Sequence, residues 1–462
     1  MFQSLIFPIF LGGVTALFFL LPVKWRPTVL LLASYMFCIW IGVQTFIAVL
    51  LISFCTWIAG NKIEKALEKK QKAKGRVYLT VVTGFYIFIL LGYKYLLFHA
   101  SVMPVGISFY LFQAIGYLTD IYKERIRAEK SFLYVSIYLA FFPKLVSGPI
   151  EREQEFVPQV KAIEQVKFWD RGRLSTAFSY MLWGYFMKMV VADRLALVVN
   201  QIFGNPEGFD SVWLAAGALF YTMQIYCDFA GYSCIAVGCA GIFGIKLTQN
   251  FQAPYLADSI SDFWHRWHIS LSRWLRDYVY IPLGGNRKGI ARKCINTVIV
   301  FLVCGLWHGA GLNFLVWGFL HGIYSIIEIL CHKQGWKVKG GRVLTFAAVA
   351  FAWIFFRVGS LEEANCYIME MFTSGIRIRK WAQMAGALSL NWMDMALIGA
   401  GIIVVWGVDE LCNRKKMSLP LWIQQKQNAA RYLIFYLLII AIFIFGMYGP
   451  GYHAEQFIYM QF

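Results

Sequence analysis

The chain has 462 residues, of which 59% are hydrophobic, 18% aromatic and only 15% charged, with a mean hydropathy of +0.58. Soluble domains carry roughly a quarter charged residues, so a disordered chain is excluded, a soluble multi-domain enzyme is disfavoured, and an all-α polytopic membrane protein fits. The net charge of +18 matches Lys and Arg gathered in cytoplasmic loops of a membrane protein. No zinc finger or other nucleic-acid motif accompanies it, so nucleic acid is not an expected partner. The ten cysteines contain no CxxC and read as small buried hydrophobes, not a disulfide framework.

In chain order, Ser4–Leu21 lacks a basic start and an A-x-A site and reads as a retained first helix, not a cleaved signal. Further apolar spans are predicted near Thr28–Gly42, Thr45–Gly60, Val77–Phe98, Val102–Thr119 and Ser131–Val146. Then come Leu174–Val191, Val212–Tyr226, Ala230–Ile245, Ile295–Trp307 and Asn313–Ile329, and finally Leu344–Phe356, Met393–Trp406 and Tyr432–Tyr448. The expectation is a single domain over 1–462 with about 11–14 membrane helices, some short or re-entrant. Basic clusters at Lys24–Arg26, Lys62–Arg76 and Lys123–Lys130 alternate with the early spans, which puts them in the cytoplasm and the N-terminus outside. No internal repeat is visible, which weighs against inverted-repeat transporters.

The segment Pro254–Lys293 carries seven basic and three acidic residues and is placed with at least its rim in the cytoplasm. Within it, Ser259 or Ser261 is the expected cap of an amphipathic helix, with Asp262 in its first turn. On one continuous helix His265 and His268 share a face, as do Arg266 with Arg273 and Trp267 with Trp274. Asp262–Arg266 and Arg273–Asp277 are spaced to pair. Two readings stand: an interfacial helix at the lipid headgroups, or a site for an anionic ligand, with Arg gripping phosphates and Trp stacking on flat groups. The loop Leu283–Gly289 (LGGNRKG) is either a plain turn or a phosphate cradle, and it lacks Walker spacing.

His308 lies in a nearly uncharged run, Cys304–Asn313, where an imidazole marks either a site or packing glue between helices. His321 falls thirteen residues on, about 220° round a continuous helix, so the two meet only if the chain bends at Gly309 or Gly311. Metal is not expected, because no HExxH or His/Cys pairing is present. These residue types suit acyl transfer: a neutral imidazole deprotonates a hydroxyl, an activated thioester needs no metal, and the phosphates of coenzyme A suit a basic rim.

Seven stretches extend the pattern: PVGISFYLFQAIGYLTDIYK (104–123), SGPIEREQEFVPQ (147–159), YCDFAGYSCIAVG (226–238), FWHRWHISLSRWLRDYVYIPLGGNRKG (263–289), GLWHGAGLNFLVWGFLHG (305–322), FAWIFFRV (351–358) and FIYMQF (457–462). On these the chain resembles the membrane-bound O-acyltransferase superfamily, with its motif core over about 104–322, and most of all the exopolysaccharide-acetylating branch of alginate biosynthesis. The resemblance implies a curved bundle of membrane helices around a transbilayer tunnel in the bacterial cytoplasmic membrane. It implies that His308 is the catalytic base, that His268 is the second polar position, and that His321 matches a further histidine of the branch. It also implies acetyl-CoA entering from the cytoplasm as donor substrate, with no permanently bound cofactor. The implied acceptor is a polysaccharide, with an extracytoplasmic SGNH-hydrolase-type acyltransferase as partner. Arg266, Trp267, Arg273, Arg276 and Lys288 are then the candidates for holding coenzyme A. One departure is Cys234, where the branch often carries a second acid after Asp228. Asp228 itself is either part of the site or a buried carboxylate paired with a base.

Two other functions fit the same composition. A transporter or flippase predicts substrate movement that survives loss of His308. An export-complex scaffold predicts that His308→Ala is silent while interface variants fail.

Overall fold

A computed structural model describes residues 2–4, 6–96, 103–336, 340–378, 381–388 and 390–448. The described residues are helical, with no strand among them. Seven helices are long and apolar enough to cross a bilayer: Val43–Glu68, Lys72–Tyr95, Ser211–Ile242, Gly289–His308, Leu312–Lys333, Trp392–Lys415 and Asn428–Phe445. Shorter helices, among them Ile6–Leu20, Arg26–Ile41, Ile107–Tyr122 and Gly341–Arg357, fall below the roughly 20 residues of a full span. The last of the seven long helices buries none of its residues and is apolar all round, as a helix bathed in lipid must be. The protein is a multi-pass membrane protein.

Several predicted spans change on inspection. The two segments expected at Val212–Tyr226 and Ala230–Ile245 are one 32-residue helix, Ser211–Ile242. Asp228 does not break it, because the carboxylate meets the buried ammonium of Lys188 at 2.5 Å. The segment at Ser131–Val146 keeps only nine helical residues, Phe132–Ala140. The segment at Leu174–Val191 ends in a wide turn of helix, Phe186–Ala192, and the chain then coils on through Asp193–Gly204. The FIYMQF stretch lies outside the described residues.

The chain divides into two compact units, one of residues up to 181 with 233–249, the other of 182–232 with 250 onward. In the first, cations and carboxylates brace the helices from inside. The buried Arg26 guanidinium donates to the carbonyls of Phe18 (3.2 Å), Ile163 (2.9 Å) and Val166 (2.9 Å). Lys144 is wholly buried, donating to Gln113 Oε1 and to the Tyr138 carbonyl. Glu151 accepts from the Thr248 backbone N–H at 2.6 Å. The 104–123 and 147–159 motifs therefore supply Gln113 and Glu151 to a polar brace in which these buried groups find partners, as a low-dielectric interior favours.

The second unit holds all the candidate site residues. Its centre is the helical hairpin Gly289–His308 and Leu312–Lys333. A Cβ at Gly305 would lie 2.4 Å from the Phe314 carbonyl oxygen, and one at Gly318 would lie 2.3 Å from that of Phe301. Only glycine allows the two backbones this approach.

Candidate active site

The amphipathic helix expected over Ser259–Pro282 is broken in two. Ser259 caps the first piece, Ile260–Arg266, by accepting from the Asp262 N–H at 3.1 Å. Trp267 is then extended, and His268 sits in the left-handed region at φ 43°, ψ 53° before Ile269–Leu275 resumes. A non-glycine residue there costs about 1–3 kcal/mol. The segment Asn250–Gln252 holds the kink: the Gln252 N–H donates to the Arg266 carbonyl, the Ile269 N–H to the Asn250 carbonyl, each at 3.0 Å, and the Ser270 N–H to Asn250 Oδ1 at 3.1 Å. Spacing along one helix therefore does not apply across the kink. His265 is exposed, whereas His268 is fully buried.

The bend after His308 occurs where the glycines allow it. The helix stops at His308, Gly309 is extended, and the next helix starts at Leu312 behind Gly311. A Cβ on Gly309 would lie 2.2 Å from the Phe314 ring. The bend turns His308 and His321 toward one tryptophan: both rings sit 5.0 Å from Trp317. Trp307 in turn stands between His308 at 4.8 Å and His268 at 5.9 Å. Three buried imidazoles are thus linked through two indoles. Phe229 packs edge-on to His268 at 4.7 Å and Phe356 to His308 at 5.0 Å. Burial pushes the His268 imidazole down to about 3, so it is neutral at working pH. His321 Nδ1 accepts from the Trp264 indole N–H at 3.3 Å, which puts the proton of the neutral ring on Nε2.

A cavity of about 390 Å³ opens in the same unit. Its mouth carries Arg273, Arg276 and Lys293 with His265, Tyr280 and Asn286. Its wall is one stripe of the His308 helix (Thr297, Val300, Phe301, Cys304), faced by Trp264, Ile269, Ser325 and Ile329. Lys293 to Cys304 is eleven residues, about 16 Å of depth at 1.5 Å per residue. His308 is one further turn along the same stripe and does not line the cavity. The LGGNRKG loop is pinned beside the mouth by Asn296 Nδ2, which donates to the Gly285 carbonyl at 3.1 Å.

The five candidates for coenzyme A separate. Arg273 and Arg276 line the cavity. Arg266 is held by Asp262 and by Asn413 Oδ1, each at 2.8 Å. Trp267 is buried between Phe263 and Trp353, with ring centroids at 5.6 and 5.0 Å. Lys288 is exposed at the head of the His308 helix, outside the cavity lining.

Two residues escaped the sequence reading. Asp228 is the buried carboxylate paired with a base, but its partner was not foreseen: Lys188 Nζ meets Asp193 at 2.7 Å and Asp228 at 2.5 Å. A lysine inside the apolar run YFMKMVV was the available signal. Asn313, five residues after His308, donates through Nδ2 to the carbonyls of Phe355 (3.1 Å) and Val358 (2.9 Å). It clamps the end of the helix Gly341–Arg357 to the His308 bend, and no spacing rule points to it.

An all-helical membrane fold with buried histidines at a glycine bend defines the class, and comparison with known proteins agrees. The model of the MBOAT, membrane-bound O-acyltransferase, family matches residues 36–360, and the chain belongs to this family of O-acyltransferases. It is 35% identical over 381 residues to a probable alginate O-acetylase of Pseudomonas fluorescens, covering 81% of this chain and 75% of that one. It is 36% identical over 294 residues to the peptidoglycan O-acetyltransferase of Helicobacter pylori, covering 57% and 55%. A teichoic acid D-alanyltransferase of Bacillus subtilis is 28% identical over 287 residues, covering 56% and 69%. The resemblance drawn from the motifs is borne out.

Proposed function

We propose that the protein takes an acetyl group from cytoplasmic acetyl-CoA and passes it across the bacterial inner membrane for O-acetylation of an extracytoplasmic polysaccharide. Delivery is direct or through an SGNH-hydrolase-type partner. The observation that carries this reading is the single stripe of the His308 helix, which runs from the basic cavity mouth at Lys293 past Cys304 to His308. Arg273, Arg276 and Lys293 supply charge for the phosphates of coenzyme A. The apolar wall suits the pantetheine arm, and the thioester then reaches the imidazole end first.

His308 takes the proton of the acceptor hydroxyl as that oxygen attacks the thioester carbonyl. The tetrahedral intermediate collapses, the C–S bond breaks, and the imidazolium returns the proton to the leaving thiolate. His268 is neutral and buried, so it serves as a hydrogen-bonding group that orients the donor or polarises its carbonyl. His321, fixed by Trp264, braces Trp317 against His308. The aromatic packing around His308 (Trp307, Trp317 and Phe356) leaves little room for a long acyl chain, which suits acetyl.

Proteoliposomes with the protein in both orientations test the sidedness. Acetyl-CoA does not cross the bilayer, so donor trapped on one face must release coenzyme A only from molecules whose basic mouth faces it. Release that is independent of orientation contradicts the reading.

A further inference from the structure

The break at Trp267–His268 changes which side chain faces the donor cavity. Before the break the cavity is lined by Trp264 and His265, and after it by residues that include Ile269, Ser272, Arg273 and Arg276. At about 100° per residue these positions form one broad stripe. On an unbroken helix His268, four residues from both Trp264 and Ser272, would stand inside that stripe. In the structure it does not line the cavity. Its ring is fully buried against Phe229 at 4.7 Å and Trp307 at 5.9 Å, and Trp307 has His308 as its next neighbour at 4.8 Å.

An unbroken helix would send the Ile269 and Ser270 N–H groups to the carbonyls of His265 and Arg266. Here the Ile269 N–H donates to the Asn250 carbonyl at 3.0 Å and the Ser270 N–H to Asn250 Oδ1 at 3.1 Å, while the Arg266 carbonyl accepts from the Gln252 N–H at 3.0 Å. Three groups that the break would orphan are thereby satisfied, as buried backbone requires. The left-handed His268 differs from most of its kind in this chain. Lys70, Glu124 and Lys416 are exposed and stand at helix C-termini, where that conformation is an ordinary stop. His268 is buried and precedes a helix, and Ala253, the other buried case among the described residues, lies in the clamping segment itself. Such a conformation persists only where its surroundings over-determine it. Asn250 is 1% exposed, and its Nδ2 makes no hydrogen bond among the described residues, so the side chain acts through Oδ1.

From this we infer that Asn250 is a positioning residue for the acyl transfer: its Oδ1 holds the break that takes His268 out of the donor-cavity wall and sets the imidazole beside Trp307. One side of the broken segment then binds the donor, and the other supplies an imidazole to the aromatic core that holds His308. This deepens the acyl-transfer reading and rests on it. Without Oδ1 the Ser270 N–H is satisfied only if the helix re-forms to the Arg266 carbonyl, and that returns His268 to the cavity stripe beside His265.

The test treats the purified full chain in nanodiscs with diethyl pyrocarbonate, which modifies accessible imidazole nitrogens, and maps the modified sites by mass spectrometry. Trypsin cuts after Arg266 and so places His265 and His268 on different peptides. In wild type the exposed His265 is expected to react at least ~10-fold faster than the buried His268. Asn250→Ala is expected to raise the His268 rate ~10-fold or more, and acetyl-CoA is expected to protect His268 in that variant. Asn250→Asp keeps an oxygen acceptor and suits a helix start, so it is expected to restore the slow rate. In coenzyme A release Asn250→Ala is expected to lower kcat ~10–100-fold, but by less than ~2-fold when His268 is already Ala, a split that a general structural role does not produce. Asn250→Leu keeps the bulk without the acceptor and carries the test if Asn250→Ala fails to fold. A His268 that stays unreactive in the folded variant overturns the inference. So does an Asp variant as reactive as the Ala variant, or an equal kcat loss with and without His268. Absence of any His308-dependent coenzyme A release overturns the acyl-transfer reading beneath it, while the labelling still reports whether Asn250 holds the break.

Discussion

Replacing Asn313 removes the clamp between the His308 bend and the end of the helix Gly341–Arg357. The side chain is 1% exposed and makes two N–H···O bonds, at 3.1 and 2.9 Å. A buried hydrogen bond contributes about 1 kcal/mol net, and an orphaned partner costs up to about 3 kcal/mol. Asn313→Ala leaves two carbonyls short of a donor, so a loss of about 2–4 kcal/mol in stability is expected. The catalytic effect adds to this. Phe356 packs on His308, and a displacement of about 1 Å at a reacting group costs up to about 100-fold in rate. Asn313→Asp is the sharper variant, since it keeps the shape but turns the donor into an acceptor facing two carbonyl oxygens. The assay pairs thermal unfolding in detergent with thiol release from acetyl-CoA. Asp is expected to be at least as damaging as Ala in both. Wild-type stability and rate in Asn313→Asp would refute the clamp.

Three further outcomes follow from the same geometry. Neutralising Arg276 or Lys293 at the cavity mouth is expected to raise the acetyl-CoA KM about 3–30-fold with little change in kcat, and added salt should shrink the difference; KM titrations at two ionic strengths check this. Lys188→Met strands two buried carboxylates and is expected to cost about 3–5 kcal/mol, whereas Lys188→Met combined with Asp193→Asn and Asp228→Asn should recover much of the loss, as read by unfolding midpoints. For His268 the folded imidazole is held near 3 against an ordinary 6.5. The unfolded chain therefore binds the extra proton between these values, so its contribution is complete above pH 6.5 and declines as the pH falls toward 3. At up to about 1.4 kcal/mol per pH unit, wild type is expected to lose roughly 2 kcal/mol between pH 6.5 and 4.5 that His268→Gln does not lose, measured by denaturation across that range.

The sequence made some of this legible and hid the rest for definite reasons. The long apolar runs and the glycines after His308 report backbone facts, and the bend they imply is present. The seven-residue register between Arg266 and Arg273 assumed an unbroken helix. The left-handed His268 is fixed by Asn250 and Gln252, residues of a separate segment, which no local pattern contains. For Asp228 a buried carboxylate paired with a base was one of two readings, but the base itself was hidden, because Lys188 lies forty residues earlier. Trp267 had the composition of a stacking platform, but its partners Phe263 and Trp353 fill both sides of it.

On the proposed mechanism His308 is the base of acetyl transfer from acetyl-CoA. The most direct measurement is coenzyme A release by purified wild type, His308→Ala and His308→Gln in nanodiscs, with an acceptor present and folding checked by unfolding midpoint. A fall of about 10²–10⁴-fold is expected in both variants with the acetyl-CoA KM little changed. Release at the wild-type rate from either well-folded variant would contradict it.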